Sequence, residues 1–205
     1  MMAFLRHEPK WGPHSKGAAD VTAAPRVLYQ IVCGVSNAAT AYNFIRDVQA
    51  DGWEVCVITT PSGAGFVDIE QLAALTGHPV RSSFKNLGAP DVLPPPNAVV
   101  VAPASFNTVN KISNGISDTL AVGIVCEAIG KRLPVVIAPW MNRALANHRA
   151  YARSIVDLSD SGVRVVLTER TKPGEVADDT DEPFPWNDVL LAVRKLRVEH
   201  ALDNA

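Results

Sequence analysis

Apolar residues come in short uninterrupted runs, each followed by small polar residues and then by a stretch with helical spacing. The runs at residues 26–33, 53–59, 98–102, 133–138 and 163–167 predict strands buried on both faces, as in a parallel sheet. Residues 80–84 predict a short edge strand. Residues 38–50, 67–75, 118–130, 147–161 and 188–200 predict helices, and one more begins near Val109. In the last helix Val189, Leu190, Val193 and Leu196 share one apolar stripe, with Arg194, Lys195 and Arg197 elsewhere. Strand and helix alternate throughout, which predicts a single doubly wound, Rossmann-like α/β domain with helices on both faces of its sheet.

The polar clusters fall where the runs end. Pro103 is expected to stop the strand at 98–102, and Ala104, Ser105, Phe106, Asn107 and Thr108 follow it. Ser105, Asn107 and Thr108 either only cap the next helix or line a site, since open α/β sheets bind ligands at the carboxyl ends of their strands. After the first strand, Gly34 allows a tight turn, and Ser36 or Asn37 can cap a helix whose N–H groups would favour an anion. The second strand ends in Thr60, Pro61, Ser62, Gly63, Ala64, Gly65 and Phe66, and two such loops together favour a phosphate site. Neither G-x-G-x-x-G nor G-x-x-x-x-G-K-[ST] is present, so the usual dinucleotide and P-loop fingerprints are missing. Pro139, Trp140, Met141 and Asn142 form a further loop after the run at 133–138.

Composition narrows the classes. At 205 residues and 47% hydrophobic, the chain can bury one good core, and a formal charge of -2 gives no electrostatic case for nucleic acid. Cys33, Cys56 and Cys126 lie far apart in or beside apolar runs, which predicts free thiols in a reducing cytoplasm and no disulfide framework or metal site. No apolar stretch reaches the roughly 18 residues of a membrane span and no signal-peptide core is present, so neither membrane nor secretion is expected. Residues 1–25 predict a flexible arm in which His7 and His14 are not expected to bind metal, and His78 is expected to sit in a surface turn. Prolines make 85–97 a rigid, irregular connection. Residues 169–187, acidic and proline-punctuated, predict a flexible loop, either a lid or a plain linker, before the closing segment 188–205.

Three motifs taken together, Pro103 to Thr108, Asn114 to Leu120 and Pro139 to Asn142, resemble those of the homo-oligomeric flavin-containing cysteine decarboxylases. That family includes phosphopantothenoylcysteine decarboxylase and the peptide decarboxylases of lantibiotic synthesis. The resemblance covers roughly residues 27–168. It implies the flavodoxin-like form of the fold, FMN as cofactor, an FMN-binding domain at 26–168, and a homo-oligomer, a trimer or an assembly of trimers, completing the site. It also implies cofactor contacts from Gly34, Ser36, Thr60, Ser62, Phe66, Ala104, Ser105, Asn107 and Thr108. By the same resemblance Asn107 and Asn142 act in catalysis, and Met141 and Asn142 meet a small or peptide substrate ending in cysteine. One position departs from the pattern. The family histidine that opens an H-[IV]-x-L segment falls on Ala89, eighteen positions before Asn107. Alanine moves no proton, so the resemblance implies FMN binding with altered or lost decarboxylase chemistry. The alternatives are an active enzyme with a base from elsewhere, Asp91 or His78 being the candidates, and a flavin-free scaffold subunit of a mixed oligomer. Phe106 is bulkier than the family's usual small residue and is expected to narrow the pocket. No cysteine follows Cys126, so an active member would stop at the enethiol and not return electrons to the product.

Overall fold

The computed structural model describes residues 26–174 and 183–202, and side chains as far as residue 196. Strands β1 (Arg26–Val32), β2 (Trp53–Thr59), β3 (Ala98–Ala104), β4 (Val135–Pro139) and β5 (Arg164–Val165) form one parallel sheet in the order β2-β1-β3-β4-β5. This is the doubly wound, flavodoxin-like order. Helices α1 (Ala41–Ala50), α2 (Ile69–Thr76) and α7 (Trp186–Leu202) cover one face, packing on Leu28, Val32, Val55, Val57, Val100, Ala102 and Val136. Helices α3 (Phe106–Ser113), α4 (Leu120–Gly130) and α6 (Arg149–Asp160) cover the other, on Tyr29, Ile31, Ile58, Val99, Val101 and Ile137. Successive strand residues alternate between two buried layers, which is why the strands read as continuous apolar runs. A four-residue helix, α5 (Arg143–Ala146), precedes α6, and 3₁₀ turns at Ala38–Thr40 and Gly63–Phe66 follow β1 and β2.

Several boundaries differ from expectation for physical reasons. Pro103 does not end β3. The strand runs on to Ala104, with a register break between Val101 and Ala104 at which the missing proline N–H is tolerated. Helix α3 starts at Phe106 and not near Val109, because Ser105 already caps it by accepting the Thr108 N–H. The expected strand at 80–84 shrinks to one bridge at the sheet edge. Arg81 donates its N–H to Val57 O at 3.3 Å and accepts the Thr59 N–H at 2.8 Å, after which the chain leaves the sheet.

The closing helix begins before Asp188, at Trp186. Trp186 stacks on Phe44 at 5.2 Å and donates its indole N–H to Thr40 Oγ1 at 2.7 Å. Its predicted stripe of Val189, Leu190, Val193 and Leu196 is buried, and Arg194 reaches Asp51 from the exposed side. Residues 85–97 carry no regular structure, as their prolines require. Cys33 and Cys56 are buried free thiols, and Cys126 is a half-buried one. The expected N-terminal arm at 1–25 and residues 175–182 of the acidic stretch lie outside the described residues.

Candidate cofactor site at the carboxyl ends of the strands

Parallel pairing brings every strand's carboxyl end to one edge of the sheet, and the order reverses between β1 and β3. The crevice at such a reversal is where open α/β sheets take ligands. Two loops are packed tightly together there. Thr60 donates its N–H to Val32 O at 3.0 Å, tying the end of β2 to the end of β1. A Cβ on Gly63 would lie 2.4 Å from Val32 O, and one on Gly34 would lie 3.0 Å from the Ser62 carbonyl and 3.1 Å from the Phe66 ring. Only glycine allows this approach. Thr60 is nearly buried, and its hydroxyl accepts the Gly63 N–H at 3.0 Å, so it shapes the second loop from within. Ser36 and Ser62 stay exposed on the outer side of the pair.

The loop after β3 joins from the other side of β1. Cys33 donates its N–H to Pro103 O at 3.3 Å, and its thiol lies 3.3 Å from Thr108 Oγ1. Ser105 Oγ lies 3.0 Å from Thr108 Oγ1 and accepts the Thr108 N–H at 3.3 Å. Asn107 is exposed in the first turn of α3. Ser105 is a helix cap, and it stands at the carboxyl edge of the sheet.

Trp140 donates its N–H to Ala104 O at 2.8 Å, which brings the loop after β4 alongside. Asn142 caps α5 by accepting the Leu145 N–H on Oδ1 at 2.9 Å, which leaves its Nδ2 as a donor in an exposed position. Met141 is buried in the core, and its carbonyl accepts from Arg170 Nε at 2.9 Å. Phe106 does not reach over the loops. Its ring is half-buried in the seam of α3 and α6, edge-on to His148 at 5.7 Å and 6.4 Å from Tyr151.

His148 and Arg170 went unnoticed in the sequence. His148 caps α6 by accepting the Ala150 N–H on Nδ1 at 3.1 Å, and the Arg170 guanidinium lies 5.1 Å above the Trp140 ring. Arg170 carries no local signal, because it reaches this end only through its tertiary contacts with Trp140 and Met141. The base of the expected lid is fixed rather than loose. Arg143 donates to Glu169 O, Tyr151 donates its hydroxyl to Thr171 O at 2.9 Å, and Gly174 donates its N–H to Asn147 Oδ1 at 3.2 Å.

The two side chains considered as substitutes for the histidine fare poorly. His78 Nε2 lies 2.7 Å from Glu54, at the amino end of β2. Five strand residues, about 16 Å, separate Glu54 from the carboxyl edge, so His78 does not serve this chain's own crevice. Asp91 pairs with Lys85 at 2.7 Å, and that hydrogen bond and charge hold its carboxyl below the usual range, which weakens it as a base. Ala89 is half-exposed in a turn closed by its own N–H on Asn86 O at 3.0 Å. Among the described residues no group of three or more His, Cys, Asp or Glu could hold a metal, and no helix is long and apolar enough to cross a membrane.

The strand order and the convergence of these loops define a flavodoxin-like protein with a donor-rich crevice suited to a phosphorylated ligand. Comparison with known proteins makes this specific. The chain belongs to the Flavoprotein family, whose model matches residues 22–197. It is 35% identical over 121 residues to the coenzyme A biosynthesis bifunctional protein CoaBC of Bacillus subtilis, covering 56% of this chain and 29% of that protein. It is 27% identical over 154 residues to a probable phosphopantothenoylcysteine decarboxylase of Arabidopsis thaliana, covering 71% of this chain and 75% of the relative. Against the bifunctional proteins of Haemophilus influenzae and Bacillus subtilis the match spans only 36% and 29% of the relative's length. Among solved structures, the epidermin biosynthesis protein EpiD from Staphylococcus aureus superposes with a TM-score of 0.60 at 28% identity, covering 69% of this chain and 81% of that one. The FMN-dependent cysteine decarboxylase TvaF from thioviridamide biosynthesis gives a TM-score of 0.67 at 24% identity, covering 84% and 98%, a likeness of fold. The crevice fits a flavin nucleotide: the glycine cradle admits close backbone approach, and the exposed Ser36, Ser62 and Asn107 offer the donors and acceptors that phosphate and a flavin's polar edge require.

Proposed function

We propose that this chain is an FMN-binding flavoprotein of the cysteine decarboxylase type, with its decarboxylase chemistry altered or lost at Ala89. The observation that carries the proposal is the pair of interlocked loops at Gly34 and Gly63, set beside the Ser105–Thr108 cap at the reversal of strand order. Ser36 and Ser62 would hold the phosphate, with Gly34 and Thr60 keeping the two turns closed and Phe66 leaning on Gly34. Ser105 and Asn107 would meet the ring system, with the buried Ala104 and Thr108, also expected there, shaping the loop beneath them. Bound FMN supplies a two-electron sink for the substrate carbon that carries the thiol. Asn142, its acceptor oxygen already engaged, presents Nδ2 to a substrate carboxylate. Buried Met141 acts from behind as packing. Nothing at position 89 takes a proton, and any turnover ends at the enethiol because no cysteine follows Cys126. The substrate class is a small molecule or peptide ending in cysteine, and the free thiols fit a reducing cytoplasm.

The test is the visible spectrum of the freshly purified protein, with the released chromophore identified by mass. Flavin absorption and the mass of FMN are expected. A colourless protein that also refuses added FMN overturns the proposal in favour of a flavin-free scaffold subunit.

A homo-oligomer, in the family a trimer, belongs to the same proposal, and one surface supports it. Phe84, Val92 and Ile116 are 59%, 52% and 48% exposed, Leu87 is fully exposed, and Phe84 lines an open cavity of about 680 Å³ between the 81–96 segment and α4. Such a patch is unusual on a chain that stays alone in water. Leu87→Glu with Val92→Glu is expected to lower the mass in solution from that of an oligomer to that of a monomer. Wild-type protein that is already monomeric at micromolar concentration ends this part of the proposal.

A further inference from the structure

Gln30 interrupts the apolar run of β1, Thr59 closes that of β2, and neither side chain reaches solvent. Among the described residues, Gln30 Oε1 and Thr59 Oγ1 are the buried side-chain atoms with no hydrogen-bond partner. Leaving such an atom unsatisfied costs more than an ordinary hydrogen bond returns, so each orphan asks for an explanation.

Strand register sets the two atoms in one row. Gln30 lies opposite Val100 of β3, and its amide reaches forward to donate from Nε2 to Ala102 O, two residues further on. Val32 lies opposite Thr59 of β2. The same register carried forward sets Val32 beside Ala102, so Ala102, Val32 and Thr59 form a row across three strands. Alternation along the strands turns Gln30 and Thr59 to the face that holds Leu28, Val32, Val57 and Ala102. The orientation of the amide is fixed, because a carbonyl oxygen only accepts. Nε2 therefore faces β3, and Oε1 is turned to the β2 side, where Thr59 presents its hydroxyl. Two strand spacings, about 10 Å, separate Ala102 from Thr59, and the amide with its bond to Ala102 fills roughly half of that span. The remainder matches one water held at both ends.

We propose that a single buried water binds in this row, donating to Gln30 Oε1 and bonded to Thr59 Oγ1, and that it joins the ends of β1, β2 and β3. Gln30 Oε1 has only lone pairs to offer, so a guest that donates a proton suits it and an anion does not. Two neutral oxygens are too few for calcium or magnesium, which take about six or more. Water fits both partners, and bonds of this number are within its usual range at buried sites. The row is the last one beneath the crevice. Val32 O accepts the Thr60 N–H, and one step on Cys33 donates its N–H to Pro103 O, so the three loops leave from the strand ends that the water ties together. The proposal stands apart from the FMN reading.

The experiment is a high-resolution crystal structure of the full chain, wild type and Thr59→Val, with melting temperatures for both, for Gln30→Met and for the Gln30→Met, Thr59→Val double variant. One water peak within hydrogen-bonding distance of both atoms is expected in wild type, and its loss in Thr59→Val. That substitution keeps the shape of the side chain and removes the hydroxyl, so the sign of its effect decides. Losing a held water should lower the melting temperature by about 2 to 4 °C, whereas removing a hydroxyl that was an orphan in a dry site should raise it. In the Gln30→Met background, where the water has lost its acceptor, Thr59→Val should cost less than it does in wild type. A direct hydrogen bond between Gln30 and Thr59, no density between them, a metal ion there, a melting temperature that does not fall in Thr59→Val, or strictly additive losses would each overturn the proposal.

Discussion

Gly63→Ala is expected to lower the melting temperature by about 6 to 12 °C and to weaken FMN uptake with it. The added methyl would sit 2.4 Å from Val32 O, a backbone atom that cannot swing aside as a side-chain tip can. Forcing a carbon into a packed site costs about 3 kcal/mol at the upper end of the usual range. For a domain of this size each kcal/mol is worth about 2 to 4 °C. Relief would require the loops after β1 and β2 to separate, and Val32 O already accepts the Thr60 N–H that joins them. Gly65 is the internal control. A methyl there meets nothing within 4 Å, so Gly65→Ala should stay within about 0.5 kcal/mol of wild type. Equal melting temperatures for the two variants would show that the loops are not interlocked as described.

Ala89→His is the change with the largest expected effect on chemistry. A positioned acid or base is commonly worth about 10² to 10⁴ in rate, so release of carbon dioxide from a peptide ending in cysteine should rise by about 10² or more. The position tolerates the replacement. Ala89 is half-exposed, its N–H is satisfied by Asn86 O, and Gly88 takes the positive φ of +80° that the turn requires. Wild-type protein that already decarboxylates such a peptide, with no gain from the histidine, would show that the proton is handled elsewhere. His148, which lies beside Phe106, would then be the first side chain to replace.

The strands were legible because burial on both faces leaves β-branched runs little room for ambiguity, and the loops were legible because glycine and hydroxyl residues follow those runs directly. Pro103 misled for an instructive reason. Proline disrupts a ladder only where its missing N–H is needed, and the register break that makes it harmless is visible only once β3 is paired: β3 advances from Val101 to Ala104 while β4 advances from Ile137 to Pro139, so the extra residue sits beside Pro103. Phe106 misled because bulk alone does not say which way a side chain turns, and here α6 supplies an aromatic seam for it. Met141 next to Asn142 looked like a pair at one site, but adjacent residues in an extended segment face opposite ways, so one is buried and the other exposed. The contact between Cys33 and the Ser105–Thr108 cap had no signal at all, since it joins the end of β1 to the start of α3 through side chains far apart in the chain.

The contact between Trp186 and Thr40 sets the order in which this molecule can mature. That hydrogen bond spans 146 positions, and with Phe44 stacked on the same indole it clamps the helix that follows the first loop from behind. Closing so long a span has to precede any reward from the contact, which delays it relative to local helix formation. On the ribosome, the turn at Ser36 is therefore synthesised well before the indole that braces the helix behind it. A nascent chain still lacking Trp186 has every loop of the crevice in place in its sequence, and no brace behind the first one.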